Sequence, residues 1–121
     1  MAKTITMLNS ADNEDVVATD DHFVDCTAEG ARFDCAQLTG VTFTRCDLYW
    51  SSFFMTHLTN VTFDQCDLRG SDFKDSILLD CHFLNCDVGT DAIGGDTSFD
   101  GTNLDAVQFM NCRGMDNQRI N

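Results

Sequence analysis

A large apolar residue falls at every fifth position of this chain. Phe23, Phe33, Phe43, Phe53, Phe63, Phe73 and Phe83 are ten apart, and Leu38, Leu48, Leu58, Leu68 and Leu78 lie midway between them. A period of five fits neither the 3.6 of a helix nor the 2 of a flat strand. A helix would smear these residues around its circumference, and a long strand would send alternate ones to opposite faces. Short straight sides of five residues, each followed by a corner, keep all of them inside. Four such sides close a square coil in 20 residues, and the longer repeat has that length. Residues 41–48 return at 61–68, again at 81–88 and once more at 107–114, in steps of 20, 20 and 26. Repetition of this kind marks a solenoid whose units bury their apolar sides only against one another.

The residue two before each large one is small: Ala31, Ala36, Val41, Cys46, Ser51, Thr56, Val61, Cys66, Ser71 and Ser76. Two residues is the spacing of same-side neighbours on an extended segment. Each side therefore points one large and one small residue inward and three outward. This pattern resembles the pentapeptide-repeat family, whose motif is a small residue, any residue, Leu or Phe, then two more. The resemblance covers about residues 21–112 and implies an all-β fold, a right-handed quadrilateral parallel β-helix (solenoid) of about four to five 20-residue coils. Residues 1–20 are expected to form an N-terminal cap or degenerate coil, and 113–121 a C-terminal tail. Gly114 stands where the next large residue should be.

The beat breaks at Gly89. In one register Ile93 is central and one residue is inserted before Phe99. In the other, six residues are inserted and Phe99 follows Val88. The second restores the alternation through Phe99, Leu104 and Phe109 and returns Cys112 to the column of Cys26, Cys46, Cys66 and Cys86. The first buries Asp91, which is costly. The sequence thus predicts a protruding Gly-rich loop over 89–96, with Asp91, Gly94, Gly95 and Asp96 as candidate binding residues, because loops on rigid scaffolds often carry recognition.

Six of the seven cysteines occupy the small inward slot, where Cys acts as an apolar filler. Zinc needs convergent ligands two to four residues apart, which a linear ladder does not supply. No metal and no cofactor are expected. His22, His57 and His82 precede central residues and point outward on two different sides. With no Ser/His/Asp grouping and no pocket, the chain is expected not to be an enzyme. No apolar run reaches the roughly 18 residues of a membrane span, and no signal-peptide plan opens the chain. Together with reduced thiols, this gives an expected cytoplasmic location. The net charge of −13 opposes direct contact with nucleic acid or anionic lipid.

Two outward sets stand out. Asp47, Asp67 and Asp87 form a like-charge column. Tyr49, Trp50, Phe54 and Met55 are clustered aromatic and apolar residues expected to face solvent, and such clusters often mark an interface. Leu84 and Met110 share an outward column near the C-terminal end, where a symmetric contact would form a homodimer. The family resemblance adds that Qnr and related proteins mimic DNA on type II topoisomerases, that some carry loops needed for protection, and that dimers form through C-terminal coils. The expected function is therefore an acidic DNA mimic that regulates or protects an enzyme such as DNA gyrase. The alternative is an interaction scaffold using the aromatic patch.

Overall fold

The computed structural model describes Thr4–Ile5 and residues 15–89 and 96–114. Ten short strands alternate with corners: β1 (Thr4–Ile5), β2 (Val17–Thr19), β3 (His22–Val24), β4 (Gln37–Thr39), β5 (Thr42–Thr44), β6 (His57–Thr59), β7 (Thr62–Asp64), β8 (Ile77–Leu79), β9 (Cys81–Leu84) and β10 (Val107–Met110). They assemble into a six-stranded sheet, β1-β3-β5-β7-β9-β10, and a four-stranded sheet, β2-β4-β6-β8. All pairings are parallel. The register is that of stacked coils: Phe23 pairs with Phe43, Phe43 with Phe63, Phe63 with Phe83 and Phe83 with Phe109.

Two further columns of single bridges complete the section. One runs Thr27, Asp47, Asp67, Asp87, Arg113, and the other Arg32, Ser52, Asp72, Ser98. Four columns per turn give four walls, so the chain is the quadrilateral parallel β-helix its period demands. In chain order the walls begin at Asp21 (first), Cys26 (second), Ala31 (third) and Ala36 (fourth), and each recurs with every coil. Stacking already includes β2, whose Ala18 lies in register with Leu38. It continues to Arg113, whose carbonyl accepts the Val88 amide at 2.8 Å.

The core is a plug of side chains in the lumen. Phe33, Phe43, Phe53, Phe63, Phe73 and Phe83 are fully buried, as are Leu38, Leu48, Leu58 and Leu68. Phenylalanines of the first wall stack on one another, with Phe43 and Phe63 centroids 4.9 Å apart and 4° from parallel. Those of the third wall do the same, with Phe53 and Phe73 at 4.8 Å. The two stacks meet edge to face, as at Phe53 and Phe63, 5.6 Å and 87°. Offset and edge contacts of this kind add about 0.5–1.5 kcal/mol per pair beyond burial.

The small inward slots do polar work as well. Cys46, Cys66, Cys86 and Cys112 each donate a thiol hydrogen bond to the phenylalanine carbonyl of the coil before, at 3.1 to 3.3 Å. Ser71 and Ser76 hydroxyls serve the Leu48 and Phe53 carbonyls in the same way. Hydroxyl and thiol are interchangeable here because both are small and both can donate to a carbonyl. Burial pushes the Cys81 thiol up, and it pushes Cys26 up to about 11. Cys26 and Cys81 are thus fillers held away from the reactive thiolate form.

The insertion is accommodated as the second register requires. Phe99 stacks on Phe73 at 5.1 Å, Asp72 bridges Ser98, and Val107 pairs with Cys81. Gly114 lies against the Gly89 backbone, where a Cβ has no room. Ile93 and the loop residues Asp91, Gly94 and Gly95 fall outside the described residues; Asp96 is exposed.

Candidate interaction surfaces

Corners, rather than walls, set most of the surface geometry. From Asp15 to Asn85 every fifth residue has a positive φ, whether glycine, as at Gly40 and Gly70, or not, as at Arg45, Trp50, Met55 and Gln65. Six of these fifteen corners, those after the second and third walls, are closed by an i to i+3 hydrogen bond, as from Ser51 N to Leu48 O at 3.0 Å. With the left-handed residue third in the turn, this is the type II arrangement.

The Asp47, Asp67, Asp87 column lies on the second wall, one residue before each leucine or valine. Each carboxylate accepts the backbone amide two residues on, from Tyr49 at 3.2 Å, Arg69 at 3.1 Å and Gly89 at 3.1 Å. These are Asx turns that cap the coming corner. The column is also paired with cations. Arg69 holds Asp67 through two bonds of 2.9 and 2.7 Å and reaches Asp87 at 3.8 Å, and Arg113 approaches Asp87 at 3.4 Å. Burial raises the Asp67 carboxyl, but the Arg69 side chain and amide outweigh it and hold it below the usual range. The outlier is Glu29, one coil below. Its hydrogen bond with Asp47 and the Asp47 charge push its carboxyl up. The column is thus a structural spine in which Asp67 and Asp87 meet guanidinium groups, not a bare acidic stripe.

The aromatic set divides. Tyr49 and Trp50 meet edge to face at 6.3 Å and 76°. Arg69 sits over the Tyr49 ring at 5.3 Å, a cation–π distance. The Trp50 ring covers Gly70, where an added Cβ would fall 3.0 Å from it. Trp50 still exposes 46 % of its surface. Phe54 is on the following wall and Met55 at that wall's far corner. All four were expected to face solvent; Trp50 and Met55 are exposed, whereas Tyr49 and Phe54 are half-buried. On these two walls the residue just after Leu48 and Phe53 is half-buried between the coils above and below, while the corner residue projects.

Leu84 and Met110 do share a column, in register on β9 and β10; Leu84 is half-buried and Met110 exposed. His22 and His57 are exposed and His82 half-buried. Among the described residues no group of three or more His, Cys, Asp or Glu could hold a metal ion, and no helix is long and apolar enough to cross a membrane.

Sequence reasoning overlooked the corner residues and the arginines. A signal for the corners existed, since Asp20, Asp25, Gly30, Gly40, Asn60, Gly70, Asp75, Asp80 and Asn85 all tolerate the left-handed region and all fall on one beat.

A family model for pentapeptide repeats, eight copies, matches residues 22–54 and 56–88. The chain belongs to the pentapeptide-repeat family. No curated protein matches its sequence. Among solved structures it is similar to full-length QnrB1, a plasmid-mediated fluoroquinolone resistance protein, at 17% identity and a TM-score of 0.65 over 93% of this chain and 57% of that one. It is also similar to HetL, a pentapeptide-repeat protein involved in heterocyst differentiation regulation in the cyanobacterium Nostoc sp. strain PCC 7120. There the identity is 12% and the TM-score 0.55, over 88% of this chain and 48% of HetL. This pentapeptide-repeat chain therefore spans about half the length of the relatives whose fold it shares.

Proposed function

We propose that this chain is a non-enzymatic acidic β-helix that acts as a DNA mimic, binding an enzyme that normally holds DNA and regulating or protecting it. DNA gyrase or another type II topoisomerase is the target class. The observation that carries this reading is the charge density of the rod. The described residues hold 16 Asp and Glu against 5 Lys and Arg, a net of −11. Four coils at about 4.8 Å each rise roughly 20 Å, and duplex DNA of that length carries roughly 12 phosphates. The carboxylates also occupy every wall, with Asp64 on the first, Asp47 on the second, Asp72 on the third and Asp105 on the fourth. A duplex is likewise charged all round. Similarity of fold to QnrB1, itself a fluoroquinolone resistance protein, supports the choice of target. The reading requires a cytoplasmic protein.

The test is a gyrase supercoiling assay with and without fluoroquinolone. Inhibition or drug protection that weakens steeply with salt is expected. No effect at stoichiometric excess removes the proposal.

A second reading rests on the 46 % exposure of Trp50 and 49 % exposure of Met55. Together with Tyr49 and Phe54 they would form the contact of a scaffold whose partner is unrelated to DNA. Binding would then be salt-tolerant and abolished by Trp50→Ala, whereas a charge-driven complex would survive that substitution. Self-association through Leu84 and Met110 fits either reading, and sedentation of wild type against Met110→Lys by analytical ultracentrifugation checks it.

A further inference from the structure

The fourth wall opens above β8, the last of its four strands. In the lower coils its ladder is regular: Gln37, His57 and Ile77 amides donate to Val16, Ala36 and Thr56 carbonyls, and Asp20, Gly40 and Asn60 amides to Thr39, Thr59 and Leu79 carbonyls. Above β8 the bonds change partners. Asp105 N donates to the Asn103 side chain and Cys81 N to the Ala106 carbonyl, while Ser76 N keeps the hydroxyl partner that Thr56 N has one coil below. The four-stranded sheet ends at β8, while the neighbouring six-stranded sheet continues through β10.

The parting leaves a cleft lined by Ile77, Leu79, Gly101, Asn103, Asp105 and Ala106. A second cleft, lined by Asp80, His82, Asp105 and Ala106 among others, shares two of these residues and carries the depression around the corner. The first stretch is apolar: Ile77 and Leu79 are 48 % and 49 % exposed, side by side on one face of β8. The second is acidic, with exposed Asp80 and Asp105, while exposed Asp75 lies against Gly101 at the far rim. His82 and the buried Cys81 line the same stretch. No Lys or Arg lies on the fourth wall among the described residues, in contrast to the second and third walls, where Arg32, Arg69, Lys74 and Arg113 stand.

We infer that this cleft is a docking site for an extended peptide segment of a partner protein that carries an apolar residue beside a lysine or arginine. The apolar side chain sits between Ile77, Leu79 and Ala106, and the cation meets Asp80 and Asp105. Extended peptides commonly use sheet edges in this way, with pockets for alternate side chains supplying specificity. The site is separate from the charge-density argument and from the Trp50 corner.

The test pans a library of random ten-residue peptides on the folded full chain, then on Leu79→Lys and on the Asp80→Asn, Asp105→Asn double variant. Each substitution is at an exposed position, and circular dichroism checks that each variant is folded. Enrichment of peptides alternating apolar and basic residues is expected, with at least tenfold weaker binding to either variant and amide shifts confined to residues 76–80 and 101–107. No enrichment overturns the inference. So does enrichment that survives Leu79→Lys, or amide shifts spread over all four walls.

Discussion

Met55 holds a φ of 55° with a long side chain that is 49 % exposed. For residues other than Gly, Asn and Asp the left-handed region costs about 1–2 kcal/mol, and about half of the Met55 surface lies in solvent. Met55→Asn is therefore expected to stabilise the fold by about 1 kcal/mol, read as a higher denaturant midpoint with an unchanged m-value. Trp50, at φ 58°, should gain less from the same change, because its ring packs on Gly70 and Tyr49. Phe63 is the opposite case. It stacks on Phe43 and Phe83 and meets Phe53 and Phe73 edge-on, with no exposed surface. Phe63→Ala should cost about 3–5 kcal/mol, measured by equilibrium unfolding. Thiol accessibility follows the same inward and outward division. Cys35 is exposed and Cys112 half-buried, while Cys26, Cys46, Cys66, Cys81 and Cys86 are buried. A thiol reagent should find one fast group in the native chain, a slower second, and the remaining five only after unfolding.

At the scale of the element, the corner is the unit that repeats. On the second wall it is built from an Asx turn and a left-handed residue whose amide donates to the next coil's carbonyl, as Trp50 N does to Arg69 O. Asp67 shows how charge enters it. Its carboxyl is 30 % exposed and doubly bonded by Arg69. Screening by solvent limits such a pair to about 0.2–1 kcal/mol, so Asp67→Asn should destabilise the fold by that amount at neutral pH. Because the folded carboxyl titrates below its ordinary 3.8, its contribution is complete above that value and is lost as pH falls through the lower folded one. The stability difference between wild type and Asp67→Asn should therefore close on acidification below about pH 4. A difference that persists at pH 2 would show that the amide, not the charge, is what the corner needs.

For the molecule as a whole, the coil is the unit of length. Removing residues 41–60 joins Gly40 to Val61 and sets Phe63 above Phe23, in the place of Phe43. That deletion should leave a folded, shorter rod with β-type circular dichroism and a lower unfolding temperature. Removing 41–57 instead breaks the beat of five, places polar residues in the lumen, and should leave the chain unfolded. Trp50 reports on the intact rod: in a monomer its emission should be quenched by iodide, as its 46 % exposure demands. A protected, blue-shifted emission in a proven monomer contradicts this geometry.

The beat of five determined the fold by itself. Burial on a narrow lumen demands one large and one small side chain per wall, and that demand is written at every fifth residue from Phe33 to Phe83. It also fixed the register past the insertion, since only one alignment keeps Phe99, Leu104 and Phe109 inside and Cys112 beneath the Phe83 carbonyl. What the surface does was decided in three dimensions. Asp47, Asp67 and Asp87 look like free carboxylates in the sequence. In the coil they cap turns, and Asp67 and Asp87 meet guanidinium groups as well. The parting of the fourth wall at β8 has no counterpart in the apolar pattern, because Leu104 keeps its inward place while the amides of Cys81 and Asp105 take other partners. A periodic core is specified by side-chain size, which one chain displays directly. Pairing of charges and gaps between coils depend on which residues 20 or 26 positions apart come to lie side by side, and on how each corner spends its hydrogen bonds.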